Sequence, residues 1–134
     1  MRPNSILIVD DDAAILEMLR EFLWSEGYDA IPLSTGSAAV AQAIASPPGL
    51  ILLDLMMPEM SGWQVIAALR AAPETRSIPI ILLSARRDLA TAARDLDVVT
   101  YLEKPFELDE LLALVSRYVN STGHGDNPRA SAPR

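Results

Sequence analysis

Five times along the chain a short apolar run is followed by a stripe of apolar residues at helical spacing, and this alternation constrains the fold more than any other feature. Ile6–Val9 is the first run, and Ile15, Leu16, Leu19, Phe22 and Leu23 then recur on one helical face until Gly27 ends the helix. Tyr28–Leu33 reads as a second strand, with Pro32 tolerable only near its end. Residues Ser37–Ala45 form a helical pattern presenting Val40, Ala41 and Ile44, broken by Ser46-Pro47-Pro48-Gly49. Leu50–Leu53 is the third run, and the helix after it carries Val65, Ile66 and Leu69 and ends near Pro73. Ile78–Leu83, a shorter helix around Asp88–Leu96 and the strand Val98–Leu102 come next. The last helix aligns Leu108, Leu111, Leu112, Val115 and Val119. Short connections between such βα units predict an α/β fold: a doubly wound, five-stranded parallel sheet between two layers of helices.

A run such as Leu50–Leu53 is continuous rather than alternating, so both faces of its strand must be covered. A charge directly after it is costly unless it has a purpose, and Asp54 stands there. The other strand ends are similarly marked: Asp10-Asp11-Asp12 after the first, Ser84-Ala85 after the fourth, Lys104-Pro105 after the fifth. In a parallel sheet these ends share one edge, where α/β folds place their ligand crevices. Carboxylates gathered there raise one another's pKa unless a cation neutralises them. An all-oxygen donor set suits Mg²⁺, and an aspartate beside it can attack phosphorus and become an aspartyl phosphate. Lys104 and Ser84 supply the charge and the hydroxyl that phosphoryl oxygens need.

Composition narrows the setting. The 134 residues make one domain, with a net charge of −7 that argues against direct nucleic acid binding. There is no cysteine for a disulfide or thiolate metal site, no apolar run long enough for a membrane span, and no signal-peptide pattern, so a cytoplasmic location is expected. Ten arginines accompany a single lysine, Lys104, which singles that residue out. Beyond Asn120 the apolar periodicity stops, and residues 121–134 are expected to be a disordered tail.

The segments "ILIVDDD", "LILLDLMMPEMSGW", "IPIILLSA" and "YLEKPF", in that order, resemble the receiver domains of bacterial two-component response regulators, the CheY-like switch proteins. The resemblance covers residues 4–120, so 1–120 is taken as the domain. It implies a flavodoxin-like fold with Asp54 as phosphoacceptor and Mg²⁺ held by Asp11, Asp54 and the Met56 carbonyl, with Asp10 acting through water. Asp12 is the third, peripheral acid. It further implies that Ser84, Lys104 and the Ala85 backbone bind the phosphoryl group, that Tyr101 is a rotamer switch, and that the bond before Pro105 is cis. A sensor histidine kinase or phosphotransfer protein would donate the phosphate. The surface of the fourth helix, fifth strand and fifth helix would then control an output partner or an effector domain outside this chain.

The implied activity is that of a phosphoacceptor with self-catalysed phosphotransfer rather than of an enzyme. In the family, the positions two beyond the phosphoacceptor and the switch hydroxyl control the hydrolytic water. Here they are Met56 and Arg86, neither a general base, so slow autodephosphorylation is expected. The sequence departs from the family pattern at Ser61, at Val98-Val99-Thr100, and in a short interval from Ser84 to Lys104.

Simpler readings exist for single residues: Asp12 as a helix cap, Ser84 as the cap of the next helix, Tyr101 as packing, Trp24 and Trp63 as helix-face packing, His124 as inert. Two other functions use the same groups. One is a haloacid-dehalogenase-like phosphatase with Asp10 as nucleophile, opposed by Ala13-Ala14 where a threonine-bearing turn belongs and by the lack of a role for Asp54. The other is an unphosphorylated pseudo-receiver serving as an interaction module.

Overall fold

Alternate side chains of a strand point to opposite faces of its sheet, and here both faces are apolar because both are covered. A computed structural model of the chain describes residues 2–85, 91, 93, 94 and 96–122. In β1 (Arg2–Val9) Leu7 and Val9 enter one core while Ile6 and Ile8 enter the other. In β3 (Pro48–Asp54) Ile51 and Leu53 oppose Leu50 and Leu52, and in β4 (Ile80–Ser84) Ile80 and Leu82 oppose Ile81 and Leu83. The first core is closed by α2 (Gly36–Ala45) and α3 (Gly62–Ala71), which contribute Ala39, Ala43, Val65, Ile66 and Leu69. The second is closed by α1 (Ala13–Ser25) and α4 (Leu108–Thr122), through Leu16, Leu19, Leu23, Leu111, Val115 and Val119.

All strand pairs are parallel, in the order β2-β1-β3-β4-β5, with β2 (Asp29–Leu33) and β5 (Thr100–Glu103) at the edges. The expected five-stranded, doubly wound architecture is therefore the one observed. The chain steps outward from β1 to β2 and then returns past β1 to β3. The reversal leaves a crevice at the carboxyl ends of β1 and β3, where neighbouring connections diverge to opposite faces.

Several boundaries differ from the sequence expectation. β3 begins at Pro48, opposite Arg2, because a proline is admissible as the first residue of a strand. β5 starts two residues later than expected, since Val98 N–H is taken into a turn by the Leu96 carbonyl. In α2 the inward residues are Ala39 and Ala43, whereas Val40 and Ile44 are half-buried and Ala41 is exposed. The cause is a close helix–loop contact: a Cβ on Gly36 would lie 2.8 Å from both Met60 Cβ and Val65 Cγ2. Trp24 is not packed but 68% exposed, because Leu16, Leu19 and Leu23 take the inner face of α1. At the end of that helix Gly27 adopts φ 91°, a conformation suited to glycine, and turns the chain into β2. Thr91, Ala93 and Arg94 are helical, but most of the expected helix at Asp88–Leu96 lies outside the described residues, as do Arg86, His124 and residues 123–134. The last helix runs through Ser121 and Thr122, which the loss of apolar periodicity assigns to the tail, because backbone hydrogen bonding does not need that periodicity. Among the described residues no helix is long and apolar enough to cross a membrane.

Candidate functional site

Asp10 leaves β1 with its N–H bonded to the Leu33 carbonyl at 3.2 Å, and is 1% exposed. Its Oδ1 accepts the Asp12 N–H at 2.9 Å, folding the aspartate run into a tight turn. Asp12 then caps α1, its carboxylate accepting from the N–H groups of Ala14 and Ile15. Asp11 is exposed, and its carboxylate meets those of Asp10 and Asp54 with oxygens within 4.8 Å of one another. Three of the four aspartates therefore converge and the fourth is committed to the helix.

Asp54 is the last residue of β3 and is 6% exposed. Its Oδ1 accepts the Met56 N–H at 3.0 Å, while Oδ2 lies 3.4 Å from Lys104 Nζ. Lys104 is closer to Asp10, at 2.6 Å from Oδ2, and its own N–H donates to the Ser84 carbonyl at 2.9 Å. The Lys104–Pro105 peptide is cis. Asp54, Met56, Ser84, Ala85 and Lys104 line a cavity of about 330 Å³ that opens at the sheet edge. Ser84 is the buried last residue of β4. Tyr101, by contrast, lies on edge strand β5 and is 40% exposed, outside the group lining the cavity.

The electrostatics follow from this crowding. Burial pushes the Asp54 carboxyl up, and the nearby Asp10 charge adds to the rise; the Met56 N–H and Lys104 pull it back without cancelling it. Lys104 is drawn down by burial, but its hydrogen bond to Asp10 and the charges of Asp54 and Asp10 outweigh that, and its ammonium is held more firmly than usual. Among the described residues one ammonium faces three carboxylates, so this group of side chains is short of positive charge. A hard dication with oxygen ligands fits that deficit and that donor set.

The loop after Asp54 is fixed by Gly62, Ser61, Gln64 and Ser37, in roles that the residue pattern did not reveal. Gly62 lets α3 start against the end of β3: its N–H donates to the Leu55 carbonyl at 2.9 Å, and a Cβ there would lie 2.7 Å from Leu55 Cα and 3.1 Å from the Asp54 carbonyl oxygen. Ser61 and Gln64 form a reciprocal capping box, which the Ser-x-x-Gln spacing could have signalled. Ser37 Oγ donates to Glu59 at 3.0 Å and ties the same loop to the start of α2.

Comparison with known proteins shows the family and the fold. Residues 6–116 match the family model of the response regulator receiver domain. The transcriptional regulatory protein KdpE of Mycobacterium tuberculosis is 41% identical over 110 residues, 81% of this chain and 47% of that protein. Two solved structures superpose closely. The chemotaxis response regulator CheY4 of Vibrio cholerae does so with a TM-score of 0.79 at 27% identity, covering 85% of this chain and 97% of that one. The response regulator TrrA of Thermotoga maritima, solved in complex with Mg²⁺ and BeF, gives 0.77 at 31% identity, covering 88% and 99%. The chain spans about half the length of the curated relatives it matches. Phosphorylation on aspartate and Mg²⁺ binding are typical of the family to which all these matches point. The chain belongs to the response regulator receiver domain family of two-component signalling.

Proposed function

We propose that Asp54 is the phosphoacceptor of this receiver domain. The observation that carries the reading is the position of Asp54 at the end of β3, facing an open cavity with Lys104 Nζ at 3.4 Å and two further carboxylates beside it. A carboxylate oxygen of Asp54 attacks phosphorus; the bond from phosphorus to the donor nitrogen or oxygen breaks, and its electron pair leaves with the donor. Asp11, Asp54 and the Met56 carbonyl would hold Mg²⁺, with Asp10 reaching it through water. When bound, that ion offsets charge on the phosphoryl oxygens. Lys104 pairs with one phosphoryl oxygen, the Ser84 hydroxyl donates to another, and the Ala85 backbone N–H contributes to the same cradle. Asp10 is a poorer nucleophile, since Lys104 holds its Oδ2 at 2.6 Å against 3.4 Å for Asp54 Oδ2, and Asp54 rather than Asp10 lines the cavity. That argues against the phosphatase reading, and the complete set of acidic and basic groups argues against a silent pseudo-receiver.

The partner would be a sensor histidine kinase or phosphotransfer protein. Engagement of Ser84 would draw its loop inward and let Tyr101 turn, altering the surface of β5 and its flanking helices that an output partner or effector domain reads. Beside the cavity, a hollow of about 330 Å³ lined by Ile15, Met18, Ala85, Lys104, Pro105 and Phe106 offers the donor an apolar foothold. Intact-mass spectrometry after incubation with acetyl phosphate tests the assignment. The wild type should gain one phosphoryl group only with Mg²⁺, and Asp54→Asn none. Equal phosphorylation of Asp54→Asn at the same rate would overturn it.

A further inference from the structure

Two apolar groups, Met56 and Ala85, stand among the polar groups of the cavity. Met56 is 56% exposed, while Met57 next to it is 8% exposed and packed into the core. Its backbone is pinned to the site by the 3.0 Å hydrogen bond from its N–H to Asp54 Oδ1. An exposed, polarisable thioether is thus anchored at the mouth of the cavity. Thioethers react with peroxides according to their exposure, and the product is reversible by sulfoxide reductases.

We infer that Met56 is a peroxide-oxidisable residue whose sulfoxide shortens the lifetime of the phosphorylated site. This inference rests on the assignment of Asp54 as phosphoacceptor. The sulfur lone pair attacks one peroxide oxygen, the O–O bond breaks, and the departing hydroxide takes up the remaining proton as water. Sulfur loses two electrons and peroxide gains them. The oxidised side chain carries a strong hydrogen-bond acceptor where the wall was apolar. A water held by that acceptor is brought beside the phosphoryl group, and hydrolysis accelerates by about fivefold, the factor that one net hydrogen bond contributes.

The experiment treats the whole chain with hydrogen peroxide, maps sulfoxides by peptide mass spectrometry, and follows loss of phosphate after the acetyl phosphate donor is removed. Met56 should oxidise well before Met57, and the lifetime should fall as Met56 sulfoxide accumulates. Met56→Leu should have the same lifetime before and after peroxide. Met18→Leu, which removes the other strongly exposed methionine among the described residues, at 44%, should respond to peroxide as the wild type does. Slower oxidation of Met56 than of Met57, or an unchanged lifetime at full Met56 oxidation, would overturn the inference. A failure of the untreated protein to accept phosphate would instead overturn the phosphoacceptor assignment, and the sulfoxide map would still decide whether Met56 is the reactive thioether.

Discussion

Burial of Asp54 costs free energy when its carboxyl is charged. With its carboxyl pushed up by burial, the folded state holds that proton more tightly than the unfolded chain does. The stability associated with the protonated form is complete below the unfolded value of about 4 and is lost as pH rises through the higher folded value. Without a divalent ion, Asp54→Asn should therefore stabilise the fold at neutral pH, and the gain should vanish once pH falls below the ordinary carboxylate range. Asp10, at 2.6 Å, still holds Lys104 in that variant. Thermal unfolding in EDTA at several pH values reads the difference directly; a less stable Asn variant at neutral pH would contradict it. Lys104 carries a dependence of the same sign at the alkaline end: its raised value adds stability that is present below its ordinary range and lost as pH climbs through the folded value. Both residues stand out in the sequence, Asp54 as a charge closing an apolar run and Lys104 as the single lysine. The preference of Lys104 for Asp10 over Asp54 does not, because it depends on how far a side chain reaches across the sheet edge.

Elements are held in place by two contacts that leave little trace in the pattern of residue types. Gly62→Ala would force a methyl against Leu55 Cα, backbone that cannot yield as a side chain can. Overpacking of this kind typically costs about 1–3 kcal/mol. Because the Asp54 carbonyl also lies 3.1 Å from that methyl position, phosphorylation of Gly62→Ala should slow as well. Chemical denaturation and the phosphorylation rate test the two effects separately, and wild-type values for both would refute the argument. Arg70, near the end of α3, donates to the carbonyls of Thr75, Arg76, Ile78 and Asp97 and pairs with the Asp97 carboxylate at 3.2 Å. One guanidinium thus closes the turn before β4 and the approach to β5. Arg70→Met keeps much of the stem but leaves those carbonyls unanswered, and should cost about 2–4 kcal/mol. An unchanged denaturation midpoint would show the clamp to be dispensable. Sequence reading passed over Arg70 because backbone carbonyls have no residue signature. It misjudged α2 for a related reason: Gly36–Ala45 is apolar on several sides, so the inward face is chosen by contact with Met60 and Val65 rather than by pattern.

At the scale of the whole molecule, the legible part was the sheet. Continuous apolar runs at β3 and β4 demand cover on both faces, and the alternation with helices supplies it. Strand order was not legible in the same way, since nothing in β2 declares that it lies outside β1 while the chain returns on the other side. That order has a consequence for hydrogen exchange. β3 is bonded to neighbours on both sides, whereas β5 is bonded on one side only and is largely uncovered. Asp54 therefore hangs from the part of the sheet slowest to open, and Lys104 from the part quickest to open. Amides of Leu50–Leu53 should exchange slowest and those of Tyr101–Glu103 orders of magnitude faster. A phosphoryl mimic such as beryllofluoride, bridging Asp54 to Lys104, should slow exchange at β5 and leave β3 unaltered. Equal protection of the two strands without the mimic would mean that the edge is not the yielding side of the site. Otherwise β3 acts as the fixed mount and the last strand as the latch that phosphate fastens to it.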